Sequence, residues 1–139
     1  MNPLLKNILA VVAGIMLGSM VNMGIIAISG SIIPPPEGTD LSTNEGLKNA
    51  IPLFGPQHFL FPFLAHALGT FFGAFVTAMF AASNRMKLAL SVGIFFLLGG
   101  IIAAAMLSAP MWFTATDLLF AYLPMAIFGG RLAIGIRGR

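Results

Sequence analysis

The sequence predicts an all-α fold, an integral membrane bundle of four helices, and three observations predict it. Four apolar runs each reach the length of a bilayer crossing; hydrophobic residues make up 58% of the chain and charged residues only 8%; and the cations gather in alternate connections. A hydrocarbon core about 30 Å thick takes about 20 residues of helix at about 1.5 Å each. Helix is required there because no water is present to satisfy loose backbone groups. A soluble domain carries roughly a quarter charged residues, so the mean hydropathy of +0.98 points the same way.

The spans are placed at 8–28, 59–82, 88–107 and 118–136. The first, ILAVVAGIMLGSMVNMGIIAI, exceeds the roughly 7 to 15 apolar residues of a signal peptide and is followed by no A-x-A-like site, so it is expected to stay as a span. Lys6 precedes it, Arg85 and Lys87 separate the second and third spans, and Arg137 and Arg139 follow the fourth. Loops rich in Lys and Arg stay in the cytoplasm, which predicts a multi-pass protein of the cell (inner) membrane with both termini cytoplasmic. Glu37, Asp40, Glu45 and Asp117 then fall outside, against a single Lys48. The net charge of +3 follows from this topology and gives no reason to expect nucleic acid as a partner; the partner expected is the lipid bilayer.

The outer loop, 29–58, is the one long connection. Pro34, Pro35 and Pro36 stiffen the exit from the first span. Ser42-Thr43-Asn44-Glu45 reads as a capping box that starts a short interfacial helix ended by Pro52, with Leu47, Ala50 and Ile51 on one apolar side. The expected arrangement is a lid resting on the bundle. Trp112, in APMWF, and Gln57 with His58 are expected at the headgroup level.

Helices in lipid associate through small residues that let backbones approach. Gly14 and Gly18 in the first span, Gly69 and Gly73 in the second, Gly99 and Gly100 in the third and Gly129 in the fourth are the candidates. An offset of 56 also aligns the second span with the fourth: Ala65 with Ala121, His66 with Tyr122, Phe72 with Phe128 and Gly73 with Gly129. A tandem duplication of a two-helix hairpin would produce that pattern.

Polar residues at membrane depth are the functional candidates. At about 1.5 Å per residue, Asn22, His66 and Tyr122 lie about 9, 10 and 6 Å below the outer boundary. If the packing stripes converge, Ser19, Asn22, His66, Thr70 and Tyr122 line one outward-facing polar pocket. Asp117 at its mouth either adds a carboxylate or caps the fourth span after Thr116. Each of these also has a plainer reading as an interhelical hydrogen-bonding group worth on the order of 1 kcal/mol. Arg131 is read as snorkelling, and Pro62 and Pro124 as kinks. No H-E-x-x-H, G-x-S-x-G or P-loop pattern occurs, there is no cysteine, and His58 and His66 stand too far apart for one metal. No catalytic residue, metal or cofactor is assigned.

The Gly-rich first span, the PPPEG turn, LFPFLAHALGTFFGAF, PMWF and YLPMAIFGGRLA together resemble an uncharacterised family of short bacterial four-span membrane proteins. The resemblance covers most of the chain, implies the same four-span fold, and carries no substrate or catalytic residue. A non-catalytic protein, an oligomeric scaffold or an accessory subunit of a larger membrane complex, is therefore the leading functional expectation. A small-solute or ion permease using the Asn22, His66 and Tyr122 level is the alternative, and a membrane-embedded enzyme the third.

Overall fold

The computed structural model describes residues 1–138 and is all-helical over them, with short connections. Its helices are α1 (Pro3–Ile32), α2 (Asn44–Ala50), α3 (Leu60–Phe80), α4 (Arg85–Leu107), α5 (Met111–Phe120) and α6 (Leu123–Arg137). Four rods, α1, α3 with its preceding turn, α4, and α5 continued by α6, are long and apolar enough to cross a membrane.

Local chemistry sets the ends. α1 runs five residues further at the start and four at the end than the expected 8–28, because Asn2 caps it through Leu4 N–H, Pro3 suits its first position, and nothing breaks it until Pro34. Pro62, expected to kink its span, sits in the first turn of α3, where the missing N–H has no partner to lose. The α3–α4 turn depends on Asn84 in the left-handed region, φ 50°, a conformation that asparagine tolerates.

The fourth rod differs most from expectation. Helix starts at Met111, seven residues before the expected boundary, so PMWF opens the rod instead of lying before it. It then breaks at Ala121 and Tyr122 and restarts at Leu123. Pro124 is the cause. Its ring would meet the carbonyl four residues back, that of Phe120, where α5 ends.

α3 is the central element, with α1 along one side and α4 and α6 on the other. The α1 contact is made of glycines: a Cβ on Gly18 would lie 2.6 Å from the Gly69 carbonyl oxygen, and one on Gly73 2.8 Å from that of Gly14. Thr77 Oγ1 adds a hydrogen bond to the Ala10 carbonyl at 3.2 Å. Gly129 does the same work between α6 and α3, where a Cβ would overlap the Phe71 carbonyl. The core between α3, α4 and α6 is built from Ala74, Ala78, Ala89, Ala126 and Ala133, all fully buried, as expected where close backbone approach drives association. Gly99 departs from its expected packing role: it is exposed, and a Cβ there would meet nothing within 4 Å.

At one end, Asn7 Oδ1 accepts from Ala82 N–H at 2.8 Å and its Nδ2 donates to Ser83 Oγ at 3.0 Å. Arg137 donates to the Met79 and Ala81 carbonyls at the same place. Lys6, Arg85, Lys87 and Arg137 therefore share a basic end; Arg139 lies outside the described residues.

The segment between α1 and α3 folds over the opposite end as a cap. Thr43, rather than Ser42, caps α2, accepting from Gly46 N–H at 3.0 Å, while Ser42 bonds Asp40. The expected reciprocal Glu45 contact does not form, because Gly46 stands three residues after the cap. Ala50 and Ile51 are buried, and Leu47 packs against the cluster of Ile51, Phe59 and Phe113, so the apolar side faces the bundle. His58 pins the cap: its Nδ1 accepts from Gly55 N–H and its Nε2 donates to the Pro34 carbonyl, both at 3.0 Å, with the ring stacked on Phe54 at 4.9 Å.

Candidate functional site

At the cap end, three side chains from two rods meet. His66, in the second turn of α3, directs Nδ1 at the carboxylate of Asp117 in α5, 2.8 Å from Oδ1 and 2.9 Å from Oδ2. Tyr122 donates its hydroxyl to Asp117 Oδ2 at 3.0 Å, and its ring stacks on His66 at 5.7 Å. Asp117 and Tyr122 are 4% and 2% exposed. A carboxylate removed from water is costly unless hydrogen-bonded, and here two donors satisfy it.

The break in the fourth rod builds this cluster. Residues five apart on an unbroken helix point about 140° away from each other, at about 100° per residue. With the chain interrupted at Tyr122 (φ −113°, ψ −81°), its side chain folds back onto Asp117. Gly100 makes the room: a Cβ there would overlap the Tyr122 hydroxyl. Pro124, two residues after Tyr122, and Gly100, 22 residues before it, thus act together on that side chain.

Asp117, expected at the pocket mouth either as an added carboxylate or as a helix cap after Thr116, is not a cap. It lies instead within α5, buried, while Thr116 bonds the Trp112 carbonyl one turn back. Pro124 signals the break near Tyr122; the start of α5 ahead of Asp117 has no such signal.

Two cavities adjoin the cluster. The larger, of about 360 Å³, lies under the cap and is walled by Ile26, Ile33, Leu47, Ile51, Phe59 and Phe113 among others, with Ser29, His58, His66, Thr114 and Asp117 as the polar residues of its wall. The smaller, of about 210 Å³, lies between α1, α3 and α4 and is lined by Asn22, His66, Thr70, Phe96, Gly99 and Tyr122 with neighbouring small residues. His66, Gly100 and Ala103 are walls of both. On α4, Gly100 therefore both receives the Tyr122 ring, as a packing residue, and borders the two spaces, while Gly99 borders the smaller one.

Asn22, His66, Thr70 and Tyr122 come together around the smaller cavity, and Asp117 joins them through His66. Ser19 does not: it is half-buried on α1 and lines neither space. The matched pairs of the second and fourth spans share their environments, with Ala65, Ala121, Gly73 and Gly129 buried and Phe72 and Phe128 exposed; His66 and Tyr122 touch. The His58 clamp had no sequence signal beyond its place before a span.

Chemically, the carboxylate fixes the ring. When His66 is neutral, Nδ1 carries the proton toward Asp117 and Nε2 presents a lone pair. Nε2 has no protein partner among the described residues, so it is available to accept a hydrogen bond or a proton from a guest. Among the described residues no group of three His, Cys, Asp or Glu is gathered for a metal ion.

Compared with protein-family models, with curated proteins and with solved structures, the chain matches none.

Proposed function

We propose that this multi-pass membrane protein binds a lipophilic molecule with a polar head, held in the cavity beneath the cap with its head at His66, whose ring Asp117 orients. The observation that carries the reading is the union, in one cavity, of a long apolar wall and a hydrogen-bonded His–Asp pair whose carboxylate is buried and whose imidazole is partly exposed. About 360 Å³ falls in the range of small-molecule sites, which are mostly apolar with a few placed polar groups that fix orientation. Such a pair is costly to bury in lipid and marks function more often than packing.

Orientation follows from charge. The basic end, with Lys6, Arg85, Lys87 and Arg137, is assigned to the cytoplasm and the cap to the outside, so the guest enters from the outer leaflet. Residence in a bacterial inner membrane rests on the resemblance of the sequence to short bacterial four-span proteins.

Two other readings are less well supported. For a scaffold, the packing glycines would be expected to serve partners, yet Gly14, Gly18, Gly69, Gly73 and Gly129 all meet neighbours within the chain. For a permease, the polar level would need to continue toward the basic end, but there Gly14 packs on Thr77 and the interior is alanine.

The single tryptophan, Trp112, reports on the site because its ring meets those of Phe59 and Phe113, both cavity walls. With the protein in lipid nanodiscs, an ω-bromododecyl amphiphile should quench Trp112 saturably, and Ala104→Phe, which fills the cavity, should weaken that binding at least tenfold. Quenching that rises linearly with bilayer content, equally in both proteins, would overturn the proposal.

A further inference from the structure

The smaller chamber holds two polar atoms with no partner among the described residues. Thr70 is 1% exposed and its Oγ1 is unbonded; the buried Oδ1 of Asn22 is unbonded as well. Buried oxygens are paired in the great majority of cases, and an unpaired one calls for a specific explanation such as a missing guest. Elsewhere the chain satisfies its buried hydroxyls, Thr77 on Ala10 and Tyr122 on Asp117, which makes this pair of exceptions informative.

The two unpartnered buried oxygens of the chamber can both accept. Asn22 Oδ1 accepts only. With Nδ1 held by Asp117, neutral His66 offers an accepting Nε2, and Thr70 accepts or donates. Among the described residues no Lys or Arg lines the space. The complement is a neutral group with more than one O–H or N–H to give.

We propose that this chamber seats the head of the lipophile, and that the head is a neutral hydrogen-bond donor at two points, as in a vicinal diol or a primary amide. The two spaces share His66, Gly100 and Ala103 as walls, and in this proposal one guest spans them, with its chain under the cap and its head between Asn22, Thr70 and His66. The open Gly99 keeps the α4 side of the chamber unobstructed. The assignment rests on the cap cavity holding the apolar part.

The test compares two probes by Trp112 quenching in nanodiscs: an ω-bromododecyl glycerol ether with both hydroxyls free, and its dimethyl ether, which has the same chain and no donor. The diol should bind wild type about tenfold more tightly or better, the effect of one or two hydrogen bonds. Asn22→Ala and Thr70→Val should each bring the two affinities within about threefold while leaving that of the dimethyl ether unchanged; Thr70→Ser, which keeps the hydroxyl, should retain the preference. Saturable but equal binding of both probes by wild type would overturn the head assignment and leave the cap-cavity reading standing. A preference that survives in both Asn22→Ala and Thr70→Val would overturn it too. If neither probe saturates, the cap-cavity reading fails and the head assignment with it. Should Thr70→Val not fold, the wild-type ratio and Asn22→Ala decide.

Discussion

Asp117 presents both carboxylate oxygens to one nitrogen of His66, at 2.8 and 2.9 Å, across 51 positions of sequence. That bond ties α5 to α3 and fixes which face of the imidazole is left for a guest. Its strength is measurable by a double-mutant cycle. His66→Ala and Asp117→Ala should each lower resistance to unfolding in detergent, with a coupling of about 1 to 2 kcal/mol, the upper part of the range for interhelical hydrogen bonds in membranes. Additivity within about 0.3 kcal/mol would show that the two groups do not support each other.

Adjacent glycines of α4 should behave in opposite ways. A Cβ on Gly100 would overlap the Tyr122 hydroxyl, whereas one on Gly99 would meet nothing. Gly100→Ala should displace Tyr122 and destabilise the fold by about 1 to 3 kcal/mol, the usual cost of overpacking; Gly99→Ala should be neutral or slightly stabilising, since alanine is the better helix former. Thermal unfolding of the two variants in the same detergent checks this, and equal effects would contradict the placement of Tyr122.

The spans were legible because bilayer thickness imposes a length and a composition, and those are sequence properties. The packing glycines of α1 and α3 were legible for a similar reason, since a four-residue spacing leaves few other uses for Gly14, Gly18, Gly69 and Gly73. The site was legible in part. Asn22, His66 and Tyr122 stood out by depth, but depth says nothing about azimuth, and Ser19 at the right depth turns away from both cavities. Asp117 was misplaced because hydropathy put the boundary at residue 118, where the long apolar run begins. The polar residues before it belong to the helix because Asp117 is satisfied by partners from elsewhere in the chain, a tertiary fact.

His58 holds the cap by bonding Pro34, 24 residues earlier, at the exit of α1. His58→Ala should leave the four rods intact while loosening the cap. Amide exchange should then quicken at least tenfold over 41–54, a loss of about 1.4 kcal/mol of local protection, with no change in α3. Unaltered exchange over 41–54 would show the clamp to be dispensable.

Entry into α2 carries a pH dependence of its own. The Ser42 hydroxyl, and then its N–H, donate to the exposed Asp40 carboxylate at 2.6 and 2.9 Å and hold its pKa below the ordinary 3.8. A lowered folded-state pKa means the contribution to this turn is present above 3.8 and is lost as pH falls through the folded value. The Asp40 carboxyl resonance should titrate with a midpoint below 3.8 in the protein and move up toward it in Ser42→Ala, which keeps the backbone N–H bond; a midpoint at or above 3.8 in the intact protein would refute the turn's geometry.

The account centres on His66 Nε2 as the atom that meets a guest beneath the cap. Nitrogen resonances of histidine-labelled protein in nanodiscs test it directly, with His66→Gln identifying the signal. Without guest, at pH 8, Nε2 should show the shift of an unprotonated ring nitrogen and Nδ1 that of a protonated one. Saturating dodecyl glycerol ether should move Nε2 upfield toward a hydrogen-bonded acceptor, by several parts per million, while Nδ1 holds its position against Asp117. An Nε2 resonance that does not change across the titration, or a proton found on Nε2 instead of Nδ1, would contradict the account.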